Sequence, residues 1–189
     1  MKRTRYTTGE KAFTKTEWEK FLSVVDNLED EVLFKLAVST GIRREDIGRS
    51  KKKNSGIRVS DVTELQNGTG KLKFFEHKKN RIHEVPLSKE MMRMIKLLVN
   101  SREKKEPFLI TYSGRTCHRR LQMYCDLAGI ERRPFHAMRA TCVKFCQAAG
   151  WRVEEVAKLT GDTIAVIQEH YSTPNESEMQ EAVVMKAII

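Results

Sequence analysis

Apolar residues recur along this chain with two different periods, and the change of period divides it into regions. Trp18, Phe21, Leu22 and Val25 stand at i, i+3, i+4 and i+7, which predicts an amphipathic helix over residues 17–25 with Thr16 just ahead of it. Val32, Leu33, Leu36 and Ala37 share one face of a second helix over 29–39, stopped near Gly41. A short third helix is expected over 44–48. From residue 57 to about 83 the pattern breaks into short runs, 57–62 and 71–75, punctuated by Gly56, Asn67-Gly68 and Gly70. That is the pattern of a small antiparallel sheet. Lys78, Lys79 and Asn80 lie between Phe75 and a further run at 82–86, which places Lys78 at or beside a hairpin tip. After Pro86 the helical period returns, with helices predicted over 91–99, 114–128, 135–149, 153–159 and 164–171. Pro174 bars simple continuation of the last of these, and an amphipathic segment over 178–189 closes the chain with Val183, Val184, Ile188 and Ile189. The expected fold class is mainly α with one small antiparallel β-sheet (α+β), without repeats, low-complexity regions or a dividing linker.

A length of 189 residues with 40% hydrophobic content suits a single core. No stretch approaches the ~18 apolar residues of a membrane span, and Met1-Lys2-Arg3-Thr4-Arg5 is not followed by an apolar signal core, so a cytoplasmic protein with no membrane partner is expected. Cys117, Cys125, Cys142 and Cys146 have neither zinc-site spacing nor the density of a disulfide scaffold, and read as reduced, mostly buried thiols. The net charge of +10 and pI near 9.5 make nucleic acid the leading partner. This charge is local: residues 43–58 hold seven basic side chains against two acidic ones, whereas the chain from Pro174 onward is net acidic. A solvated loop is the alternative reading of Lys51-Lys52-Lys53 taken alone.

Three segments could carry chemistry. His136 and Arg139, at i and i+3, follow Pro134 at a predicted helix start and share a face beside the core stripe of Phe135, Met138, Cys142, Phe145 and Ala149. An imidazole and a guanidinium at a helix start make a good anion site. Arg43 follows the Gly41 helix stop, and Asp46, three residues on, is placed to orient it. Tyr171 stands seven residues after Ile164 and four after Ile167, on the apolar stripe of its helix. Taken singly these segments read more readily as a salt-bridged helix end, an arginine after a glycine, and a core tyrosine.

Their order along the chain changes the weighing. Thr40-Gly41-Ile42-Arg43, with Asp46-Ile47 after it, resembles the first arginine box of the tyrosine recombinases, the family of phage-type integrases and Xer-like enzymes. Lys78, eight residues before Pro86, is similar to that family's hairpin lysine. His136-Ala137-Met138-Arg139 resembles its H-x-x-R motif, and the ten-residue step from Gly161 to Tyr171 repeats its last spacing. The likeness runs from about Phe13 to Pro174. It implies the family's DNA breaking-rejoining catalytic domain over residues 1–174 and a segment, 175–189, exchanged between subunits or packed on its own. It also implies double-stranded DNA as partner, a homotetramer on DNA from a protein monomeric when free, and neither metal nor other cofactor. The family's N-terminal DNA-clamping domain is expected to be absent.

By the same resemblance Tyr171 attacks phosphorus to give a 3′-phosphotyrosyl intermediate, Arg43 and Arg139 bracket the non-bridging oxygens, Lys78 protonates the leaving 5′ oxygen and His136 assists the nucleophile. The nearby guanidinium charge is expected to favour the Tyr171 anion. One position departs from the family: Asp162 stands where His or Trp is usual. A carboxylate facing a phosphate is repulsive unless protonated or paired, so Asp162 is expected either to hold Arg139 or Arg43 in place or to weaken cleavage. A type IB topoisomerase and a non-catalytic DNA-binding protein on the same fold are the rival readings.

Overall fold

The computed structural model of the chain describes residues 9–171, 174 and 176–186. Helix α1 (Lys15–Ser23) begins earlier than the periodicity predicts, because Thr14 and not Thr16 has the capping partner. The Thr14 hydroxyl accepts from the Glu17 amide at 3.1 Å and the Glu17 carboxylate accepts from the Thr14 amide at 2.9 Å, a reciprocal box that satisfies two otherwise free donors. Helix α2 (Leu28–Thr40) is capped by Asn27 and buried on nearly all sides through Val32, Leu33, Phe34, Leu36, Ala37 and Val38. It is the central helix, against which α4 (Lys89–Asn100) and α6 (Ala137–Ala148) pack. Its one fully buried carboxylate, Asp30, is met by Arg120 and by the Tyr124 hydroxyl at 2.7 Å.

Helix α3 (Arg44–Ile47) follows at once, and α5 (Gly114–Leu127) packs on it. Strands β1 (Val62–Glu64), β2 (Gly70–Glu76) and β3 (Arg81–Leu87) form an antiparallel sheet in that order. Leu72 faces Val85 and Glu76 faces Arg81 in the β2–β3 register. The run at 57–62 is not the strand that its alternation predicts. Asp61 caps the Arg58 amide at 2.7 Å and turns Val59–Asp61 into a 3-10 helix, while the Ile57 carbonyl and the Val59 amide pair with Leu109 and Pro107.

Helix α6 starts two residues later than predicted. The Pro134 and Phe135 carbonyls accept from Ala137 and Met138 in a tight turn, and His136 is left at the capping position. Helices α7 (Val153–Thr160), α8 (Ile164–Tyr171) and α9 (Glu176–Met185) complete the chain. Ala140, Val143, Val156, Ala157, Ile167 and Tyr171 form a small core of their own beneath α8. Cys117, Cys125 and Cys142 are buried free thiols, and Cys146 is half-buried. Among the described residues no helix is long and apolar enough to cross a membrane. Ile188 and Ile189, predicted to close the last amphipathic face, lie outside the described residues.

Candidate active site

Three chain corners and one hairpin converge. The first corner is the end of α2, where Gly41 takes a φ of +66° that a side chain would strain, and so turns the chain to present Arg43 at the start of α3. The second is the start of α6, which carries His136 and Arg139. The third is the junction of α7 and α8, where Gly161 sits at φ +72° and its would-be Cβ lies 2.7 Å from the Arg81 guanidinium. The β2–β3 hairpin is stitched to this junction: His83 Nε2 pairs with the Leu159 carbonyl at 2.9 Å, Arg81 donates to the Gly161 carbonyl at 2.8 Å, and Lys79 donates to that same carbonyl.

At the centre lies Asp162. Its Oδ2 accepts from Arg139 Nη2 at 2.5 Å and from Arg139 Nε at 3.2 Å, and its Oδ1 accepts from Arg43 Nη2 and Lys79 Nζ, each at 3.2 Å. Arg139, 3% exposed, also donates to the Gly41 and Thr160 carbonyls at 2.6 Å each. Arg43 is paired with buried Glu76, which also holds Arg81 at 2.9 Å. Burial alone would raise the Asp162 carboxyl, but Arg139, Lys79 and Arg43 outweigh it and hold the group below the usual carboxylate range.

His136 Nε2 lies 3.1 Å from the Tyr171 hydroxyl. His136 itself is exposed, while the Tyr171 that it meets is buried. Loss of solvation, with Arg139 and Arg43 close by, drives the ring down to about 4, so it is neutral at pH 7 and able to accept a proton. Tyr171 is 4% exposed. Burial pushes its phenol up, Arg139 pulls it down, and Asp162 pushes it up again. The net shift is upward, so in the DNA-free protein the guanidinium charge does not win, contrary to the expectation drawn from charge alone.

The structure therefore brings Arg43, His136, Arg139, Asp162 and Tyr171 together. Lys78 is not among them: it is exposed on the 3-10 turn His77–Lys79, and its neighbour Lys79 is the lysine that turns inward. Asp46 does not orient Arg43 either. It accepts from the His77 backbone amide and lies beside His77 Nδ1, both at 3.0 Å, and so anchors the hairpin instead. Sequence reasoning missed Glu76, Lys79, Arg81 and His118. Glu76 had a signal, since it occupies an inward position in the alternation of Leu72, Phe74 and Glu76 along β2. His118 lines a cavity of about 480 Å³ together with Arg43, Arg44, His136 and Arg139, and its buried Nδ1 has no partner. Among the described residues no group of three or more His, Cys, Asp or Glu could hold a metal ion.

The model of the phage integrase family matches residues 11–178. The chain belongs to the phage integrase family. As a member it shares its fold with XerA recombinase, at a TM-score of 0.75 and 15% identity over 94% of this chain and 65% of that one. The XerH site-specific recombinase, in a pre-cleavage complex with its difH substrate, matches at 0.68 and 16% identity over 94% of this chain and 54% of that one. The catalytic domain of bacteriophage HP1 integrase matches at 0.61 and 17% identity, over 93% of this integrase-family chain and 94% of that domain. The chain thus spans between about half and two thirds of the Xer recombinases and nearly all of the HP1 domain. No curated protein sequence matches it.

Proposed function

We propose that this domain cleaves and rejoins double-stranded DNA at specific sites through a covalent 3′-phosphotyrosine at Tyr171. The observation that carries the reading is the 3.1 Å contact between Tyr171 and a neutral His136, beside two convergent guanidinium groups. A phosphodiester is anionic and lacks a good leaving group, so its cleavage needs a nucleophile, neutralisation of the phosphorane and a proton for the departing oxygen. Tyr171 oxygen forms the new bond to phosphorus and passes its proton to His136 Nε2. Arg43 and Arg139 face the non-bridging oxygens. The P–O5′ bond breaks, and Lys78, carried inward by the hairpin, protonates the leaving 5′ oxygen. A 5′ hydroxyl from a second strand then reverses these steps, which conserves the bond energy without ATP.

On this reading the enzyme works as a homotetramer on DNA and in the cytoplasm. The support for assembly is α9, whose Met179, Val183, Val184 and Met185 are all exposed, an apolar surface that another subunit would cover. Trapping on a library of nicked duplexes tests the cleavage step. An SDS-resistant protein–DNA adduct should form, persist in EDTA and vanish in Tyr171→Phe. A protein that binds the duplexes yet yields no adduct would instead be a DNA-binding member of the fold, the second reading, favoured by the Asp162 carboxylate seated between both arginines. Strict Mg²⁺ dependence of the adduct would overturn the mechanism.

A further inference from the structure

Arginine has five N–H donors in a fixed planar fork. In Arg139 one Nη1 hydrogen goes to the Gly41 carbonyl, both Nη2 hydrogens to Thr160 and Asp162, and the Nε hydrogen to Asp162 as well. A single N–H is left, and Arg139 also lies close enough to the Tyr171 hydroxyl to act on it by hydrogen bonding. Gripping a phosphodiester with two parallel hydrogen bonds therefore requires Asp162 to release the Nε–Nη2 edge. The same carboxylate takes a donor each from Arg43 and Lys79. Asp162 thus draws on the two arginines that a phosphate would need and on the lysine next to Lys78, and it carries the one negative charge that a phosphodiester carries. Exchanging one for the other leaves the net charge of the cluster unchanged, whereas binding both together would place two like charges on the same donors.

The position of Lys78 follows from the same contacts. His77–Lys79 is a turn of 3-10 helix, in which neighbouring side chains diverge by about 120° around the axis. With Lys79 drawn in by Asp162 and the Gly161 carbonyl, Lys78 is held outward, where it is exposed. Both lysines cannot face the site on this turn.

We propose that Asp162 is an internal anion that fills the phosphate clamp of the DNA-free protein, and that its displacement by the scissile phosphate frees Lys79 and lets the hairpin rotate Lys78 into the site. This inference rests on the DNA-cleaving reading for its purpose, but its test does not use cleavage. Inorganic phosphate is titrated against the wild-type protein, Asp162→Asn and Asp162→Ser, with affinity read from the phosphate-dependent rise in Tm. Lysine reactivity toward an acetylating reagent is read by mass spectrometry. Both variants should bind phosphate about tenfold more tightly than wild type, because the competing charge is gone. Lys79, slower to acetylate than Lys78 in the wild type, should become comparably reactive in phosphate-free variants.

Unchanged phosphate affinity overturns the proposal, and so does tighter phosphate binding with Lys79 still protected, which would sever the hairpin from the clamp. Variants that fold only when phosphate is added support it, since phosphate then takes the vacated place. Variants that phosphate does not restore make Asp162 a fixed structural counter-ion and also overturn it. Failure of the wild type to form a covalent adduct would refute the cleavage reading while leaving these outcomes unchanged.

Discussion

A guanidinium as enclosed as that of Arg139 is stable in a protein interior only when its donors are matched, and here two carbonyls and a carboxylate match four of the five. Arg139→Ala leaves Asp162 without its principal partner, and urea unfolding should register a loss of about 3–5 kcal/mol. Arg139→Lys keeps a charge but not the fork, and adduct formation should fall by about 10²–10³-fold. His136 makes a prediction with a sign. Its folded-state pKa, about 4, lies below the ordinary value of 6.5. The unfolded chain therefore binds the proton first as pH falls, and the neutral ring's contribution to stability, full above about 6.5, is lost toward pH 4. The wild-type Tm should drop across that interval more steeply than that of His136→Gln, and an NMR titration should find this imidazole neutral at pH 5.5. A ring that titrates at the ordinary value would overturn the lowering ascribed to lost solvation, Arg139 and Arg43.

At the scale of elements, the site depends on how closely α3 approaches α5. A Cβ on Gly48 would lie 2.4 Å from the Gly114 nitrogen and 2.5 Å from its Cα, and backbone atoms cannot swing aside as a side-chain tip can. Gly48→Ala should cost about 1–3 kcal/mol in chemical denaturation, as overpacking does, and should lower adduct yield by shifting Arg43 at the head of α3. The β2–β3 hairpin shows the opposite arrangement, with one end of each contact on a corner of the chain. Arg81 and His83 bind carbonyls of the α7–α8 junction, and Asp46 binds His77. Backbone groups serve as the anchors, so side-chain substitution at Leu159 would not by itself remove them, whereas a Cβ on Gly161 would collide with the Arg81 guanidinium. These ties hold His77 at one end of the turn and Arg81 just beyond the other, so a change that brings Lys78 inward has to release Lys79 between them.

The whole molecule presents its charge unevenly, with the exposed Lys51, Lys52 and Lys53 on the segment between α3 and the sheet. If these lysines lie on phosphates, their neutralisation to Gln should reduce the slope of log K against log salt by about 2–3 units through lost counterion release, and weaken all sequences alike. A slope that does not change would mean a merely solvated loop; Lys53 already has a partner in Glu45 at 3.2 Å. The final helix is joined to the body by the Lys144–Glu178 pair at 3.0 Å, and most of its apolar side chains are exposed. Deletion of residues 176–189 should therefore change the monomer's Tm little, yet reduce assembly on DNA, as native gel shifts would reveal.

The sequence by itself determined the fold class and the helix order, because apolar periodicity and glycine stops are local, and the order of its motifs singled out Arg43, His136, Arg139 and Tyr171, which the fold brings near one another. It also marked Asp162 as the residue out of place, and β2 carried in its alternation the sign of a buried Glu76. What it could not decide was direction. Adjacent residues on a 3-10 turn diverge whichever way the turn is rotated, so only the α7–α8 junction packed against the hairpin decided that Lys79 enters and Lys78 does not. In the same way Asp46 stands three residues from Arg43 in the chain but joins His77 in space. Tertiary packing, first by burying Tyr171 and then by seating Asp162 among three cations beside it, decided that the phenol's pKa is shifted upward.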